Sequence, residues 1–245
     1  MPAIILIHGA WHDARCWHAV KPILEGLGHS VSTPDLPGHG QRQGELWSAT
    51  LGGYARTAIA AARKAKARPV LVGHSLGGAV ITEAAAREPT LFSGLVYLCA
   101  FVPQPGESLV TLASRDHDGS VPRSVLRGLW TTGFRQDRAA DVFYNRCPDE
   151  VAAGAAAAIQ RQPNLPTLQR LSRPRGPSPA RSYVLCSDDR AISPGHQRWM
   201  AERAGIENLL ERDWDHSPFL SAPDELARLL SDLAFAQQAD PRNSG

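Results

Sequence analysis

Apolar residues fall in short runs separated by turn residues, and between those runs they recur at helical spacing. The pattern predicts strands over residues 3–8, 30–34, 69–73 and 94–101, with helices over 16–28, 51–67 and 79–87. Strand and helix in alternation imply a parallel sheet covered on both faces, because parallel neighbours need long crossovers and the helices are those crossovers. The rhythm breaks after residue 101. Residues 103–180 bring polar turns, prolines and helix-like pieces such as 148–162, whose alanine-rich centre favours helix, and 173–181 (RPRGPSPAR) reads as loop. The alternation returns with a strand at 182–186, a helix at 195–204, a strand at 208–212 and a closing helix at 223–238. The expectation is one α/β core of about six strands, residues 1–102 and 181–239. Residues 103–180 form an inserted helical cap over the sheet edge where ligands bind, and 240–245 form a disordered tail.

Composition narrows the class. Of 245 residues, 43% are hydrophobic and 20% charged, and 26 basic against 24 acidic residues leave a net charge of +2. That balance gives no electrostatic case for nucleic acid or an anionic membrane as a partner. The longest apolar runs fall far short of the roughly 20 residues needed to cross a bilayer. No basic segment followed by an apolar stretch comes after Met1, so a cytoplasmic location is expected. Cys16, Cys99, Cys147 and Cys186 lack CxxC spacing, which argues against a disulfide or zinc framework. His8, His12 and Cys16 recur at intervals of four, but His8 closes a strand and Gly9 interrupts any helix; hydrogen bonding is expected of them, and no metal. His39 in PDLPGHG belongs to a turn.

Candidate chemistry centres on VGHSLGG, residues 72–78. Ser75 falls between a predicted strand and a predicted helix, and Gly73 and Gly77 permit the sharp turn that lifts a hydroxyl clear of the sheet. A serine needs a base oriented by a carboxylate, and in such a fold the order is Ser, then acid, then His. Asp188 and Asp189 follow the strand at 182–186; His216 follows the strand at 208–212, in WDHSPF. His216 is the expected base. Spacing leaves the acid open among Asp188, Asp189, Asp213 and Asp215. The backbone N–H of Leu76 and that of Ala10, in the loop after the first strand, are the expected oxyanion donors.

With these residues placed, LIHGAWHDARCW, PDLPGHG, VGHSLGG, YLCAFVP, YVLCSDDRAISPGHQRW and DWDHSPFL resemble a branch of the α/β-hydrolase superfamily of serine hydrolases. That branch contains plant methyl salicylate and methyl jasmonate esterases, hydroxynitrile lyases and small bacterial esterases. The resemblance implies the α/β-hydrolase fold and places the acid on the last residue of a Cys-x-x-Asp segment, Asp189. The lyases carry a threonine where Gly9 stands, an acid at His74 and a lysine at Ser217; an uncharged serine cannot replace that lysine, so the chain is esterase-like. Esterase members bind the acyl group beneath a cap tryptophan. Trp130 is similar in position, and Trp11, His74, Phe134, Phe143, Tyr144 and Phe219 are expected to complete the substrate pocket.

The expected activity is therefore hydrolysis of a small, apolar or aromatic carboxylic ester through an acyl-enzyme on Ser75, without a cofactor, by a monomer or homodimer. Alternatives that use the same site are a thioesterase, a non-hydrolytic cyclase or lyase, and a small-molecule binding protein.

Overall fold

The sequence pattern is realised as one six-stranded sheet in a computed structural model that describes residues 1–239; the expected tail at 240–245 lies outside the described residues. The strands are β1 (Ala3–Ile7), β2 (Ser30–Ser32), β3 (Val70–His74), β4 (Gly94–Leu98), β5 (Ala180–Cys186) and β6 (Asn208–Arg212). They lie in the order β2-β1-β3-β4-β5-β6, and every neighbouring pair is parallel.

The crossovers are helices α1 (Val20–Gly26), α2 (Leu51–Lys64), α3 (Gly77–Arg87), α4 (Pro194–Arg203) and the closing α5 (Pro223–Gln238). Because side chains alternate along a strand, Ile4, Leu6, Val72 and Leu98 face α1 and α5, while Ile5, Ile7, Leu71 and Tyr97 face α2, α3 and α4. Both faces are buried, which is why the strands read as continuous apolar runs. The helix expected over 16–28 is split into a 3-10 turn, Ala14–Trp17, and α1. Pro22 has no N–H to donate to the preceding turn, so the α-helix can only begin just before it.

Residues between β4 and β5 form a cap that is only partly helical. Short helices Leu109–Ala113, Val121–Ser124, Gln136–Phe143, Asp149–Ala157 and Leu165–Leu168 accompany an antiparallel ribbon of Val125–Leu126, Thr131–Phe134 and Gln162–Pro163. The ribbon stands beside the expected helices of the cap. Strands of two to four residues are too short to show period-two alternation, and a proline inside one argues against strand.

All six strands run the same way, so the loops after β1, β3, β5 and β6 meet at one edge beneath the cap.

Candidate active site

Ser75 occupies the turn between β3 and α3 at φ +53°, a left-handed backbone that a serine keeps only when its neighbours enforce it. They do so from both sides: its N–H donates to the Leu98 carbonyl (3.2 Å), and its own carbonyl accepts from the N–H groups of Gly78 and Phe101 (3.1 Å each). A Cβ on Gly73 would lie 2.5 Å from the Gly77 carbonyl oxygen, so only glycine lets strand and helix close on this turn. Ser75 is 8% exposed and lines a cavity of about 350 Å³ under the cap.

The loop after β1 packs directly onto the same turn. A Cβ on Gly9 would sit 2.8 Å from His74 Nδ1 and 2.9 Å from Ser75 Cβ; its absence brings the Ala10 backbone alongside the serine. Ala10 lines the same cavity. Among the described residues, no backbone or side-chain acceptor engages the N–H of Ala10 or of Leu76, the latter being one of the free donors at the start of α3.

Geometry separates the four acids that spacing left open. Asp189 Oδ2 accepts from His216 Nδ1 at 2.7 Å, with both side chains essentially without solvent contact. Its Oδ1 accepts from the N–H groups of Ala191 (2.7 Å) and Ile192 (2.9 Å), and Gln197 Nε2 donates to Oδ2 at 2.9 Å. Asp188 and Asp213 turn outward and are clasped by the cap's Arg146 (2.8 Å to each). Asp215 is buried and braces the histidine loop, accepting from the N–H groups of Ser217 and Arg146 and the hydroxyl of Ser221. Desolvation raises its carboxyl pKa.

His74, expected in the substrate pocket, is instead wholly buried behind the turn. Its Nε2–H donates to the His216 carbonyl at 2.8 Å, and the Cys99 thiol reaches the same oxygen at 3.4 Å. His74, Cys99 and His216 bring one potential metal-ligating atom each within 4.8 Å of one another. His74 Nε2, Cys99 Sγ and His216 Nδ1 have hydrogen-bond partners that tie the histidine loop to the core, while His74 Nδ1 is buried without one among the described residues. His8 and His12 are also committed to hydrogen bonds. His8 Nδ1–H donates to the Gly9 carbonyl and Nε2 accepts from the Leu36 N–H; His12 Nδ1–H donates to the Ala10 carbonyl and Nε2 accepts from the Tyr144 hydroxyl.

The aromatic pocket needs the largest correction. Trp130 is 73% exposed at the tip of the cap ribbon and does not line the cavity, because the turn between two antiparallel strands points its side chain outward. Phe134, Phe143, Tyr144 and Phe219 are buried but do not line it either. Phe134 and Phe143 pack at tilted angles behind Trp11 (centroids 5.2 and 6.0 Å), whereas Tyr144 and Phe219 border a separate cavity of about 300 Å³ beyond His12. Only Trp11 of the expected pocket faces the Ser75 cavity. The walls are otherwise largely aliphatic: Leu109, Val110, Ala113, Val121, Val125 and Ile192. The spacing of Leu109, Val110 and Ala113 on one short helix is the sequence signal that could have revealed them. A larger cleft of about 720 Å³ along the β2 edge holds none of the candidate residues.

Burial depresses the pKa of four histidines around this site, His8 to about 3, His12 to about 4, and His39 and His74 below the usual value. Unfolded, each titrates near 6.5, so below that pH the unfolded chain binds more protons than the folded one. Stability is thus expected to be intact above pH 6.5 and to fall through the window down to about pH 4 for His12 and about pH 3 for His8. Each group left neutral contributes about 1.4 kcal/mol per pH unit to that loss. Denaturant midpoints measured from pH 7.5 to 4.5 should decline steeply; a flat profile would show that these rings are protonated in the fold.

Comparison with known proteins agrees with this architecture. The chain is 33% identical to a pyrethroid hydrolase of Sphingobium wenxiniae over 95% of its own length and 88% of that protein. It is 30% identical to methylesterase 7 of Arabidopsis thaliana, over 94% and 95% respectively. The crystal structure of a pyrethroid hydrolase from Sphingobium faniae superposes with a TM-score of 0.84 at 29% identity, covering 96% of this chain and 98% of that one. The profile of the alpha/beta hydrolase family matches residues 4–229, nearly the whole sheet-and-cap arrangement described above; the chain belongs to the α/β-hydrolase family.

Proposed function

We propose that Ser75, His216 and Asp189 are the nucleophile, base and orienting acid of this carboxylic ester hydrolase, with the N–H groups of Ala10 and Leu76 as oxyanion donors. The observation that carries the reading is the buried 2.7 Å bond between His216 Nδ1 and Asp189, at the sheet edge that also presents Ser75. The carboxylate can only accept, so it holds the proton on Nδ1 and leaves Nε2 as the basic atom. His216 takes the Ser75 proton as Oγ attacks the ester carbonyl, and the two N–H groups receive the developing oxyanion. The same imidazole then protonates the departing alcohol, and water deprotonated by His216 releases the acid from Ser75. No step needs a cofactor.

The acyl or alcohol group that fits is apolar and of modest size, because the cavity is about 350 Å³ and its walls are largely aliphatic. A relative named for pyrethroid hydrolysis and others named methylesterases support an apolar ester as substrate. Among the described residues no helix is long and apolar enough to cross a membrane. Four free cysteines support a reducing, cytoplasmic setting as part of the same reading.

Covalent labelling tests the assignment. A fluorophosphonate is expected to modify the peptide containing Ser75, and p-nitrophenyl acetate to octanoate and aryl methyl esters are expected to turn over. Labelling at another residue would displace Ser75; neither labelling nor turnover would favour a binding or non-hydrolytic role.

A further inference from the structure

The Ser75 cavity is lined by one charged side chain among the described residues, Arg127, and by no carboxylate. Arg127 lies in the turn that joins Val125–Leu126 to Thr131–Phe134 and is exposed, while Ser75, which lines the same cavity, is nearly buried. That turn is held firmly. Asn164 Nδ2 donates to the carbonyls of Gly128 (2.8 Å) and Leu129 (3.2 Å), and its N–H donates to that of Trp130 (3.0 Å). Nearby arginines are engaged: Arg161 holds the hydroxyl and carbonyl of Thr131, and Arg123 holds the His117 carbonyl. No hydrogen bond or ion pair from Arg127 to another described residue is present. The turn that carries this arginine is held by Asn164, and its guanidinium has no protein partner among the described residues beside a mostly apolar cavity.

We propose that the natural substrate carries a carboxylate at the end remote from the scissile ester, and that Arg127 binds it. The substrate class is then a half-ester of a dicarboxylic acid with an apolar spacer, which deepens the ester-hydrolase reading and rests on it. A planar guanidinium offers a carboxylate two parallel N–H donors, a geometric match that holds at an exposed site as well. A neutral ester of the same length fills the aliphatic wall but leaves the guanidinium without an anion.

The test is calorimetric titration of the Ser75→Ala protein, which reads binding without turnover, using monomethyl octanedioate and dimethyl octanedioate as probes. The monoanion is expected to bind about tenfold more tightly than the diester, with the preference shrinking at 0.5 M NaCl. Arg127→Gln in the same background should reduce the preference to within about twofold, and Arg127→Lys should keep part of it because the charge survives without the planar fork. Equal affinities in the Arg127 protein, or a preference that survives Arg127→Gln, would overturn the proposal. Failure of the ester-hydrolase reading is visible separately, as absence of p-nitrophenyl butyrate turnover by the wild-type protein.

Discussion

Replacing Ser75 with alanine is expected to lower kcat for an aryl ester by about 10⁴ to 10⁶ while changing KM only a few-fold. The reason is local: Ser75 is held at φ +53° by hydrogen bonds to Leu98, Gly78 and Phe101, so alanine keeps the turn and the cavity but removes the hydroxyl proposed as the nucleophile. The residual rate would come from the Ala10 and Leu76 donors and from binding, which the substitution leaves in place. Because nucleophile and base act as a unit, adding His216→Ala should cost little more. Steady-state kinetics with p-nitrophenyl butyrate decide the matter; turnover within tenfold of wild type would remove Ser75 from the chemistry.

Asp189→Asn is expected to reduce kcat by about 10⁴, whereas Asp188→Asn should change it less than threefold. The Asp189 carboxylate accepts four donors, two backbone N–H groups on one oxygen and Gln197 and His216 on the other. An amide has only one oxygen. Turned either way, it sets an NH₂ group against donors, and the simplest relief is a His216 tautomer with the proton on Nε2, which cannot accept from serine. Asp188 instead pairs with Arg146 at a half-exposed site and touches neither His216 nor the cavity. Comparable losses in the two variants would mean that the acid loop acts as a whole.

Much of this was legible in the chain because burial on both faces makes parallel strands unmistakable, and because Gly73 and Gly77 flank a serine between a strand and a helix. The order of Ser75, Asp189 and His216 followed the strand ends. Spacing could not separate Asp189 from Asp188, since which side chain turns inward depends on Gln197 and Arg146, one on α4 and one in the cap. The pocket was read less well. Aromatic residues drew attention by size, yet Phe134, Phe143 and Phe219 pack behind the cavity and Trp130 lies outside it. Phe134 and Trp130 belong to a cap ribbon too short for its periodicity to show which way a side chain points, and Phe143 and Phe219 end or lie in short helices whose inward face is set by tertiary packing.

The Arg146 clasp has a consequence for exchange of the cap. This one cap residue grips Asp188 and Asp213 with its side chain and Asp215 with its N–H, and so fastens the cap to the loops that carry both Asp189 and His216. Exchange of the whole cap would release both loops from this hold. The outer ribbon from Val125 to Phe134 supplies Val125, Arg127, Gly128 and Thr132 to the cavity wall. Substitutions at those four positions would reshape the cavity while leaving the Arg146 clasp in place.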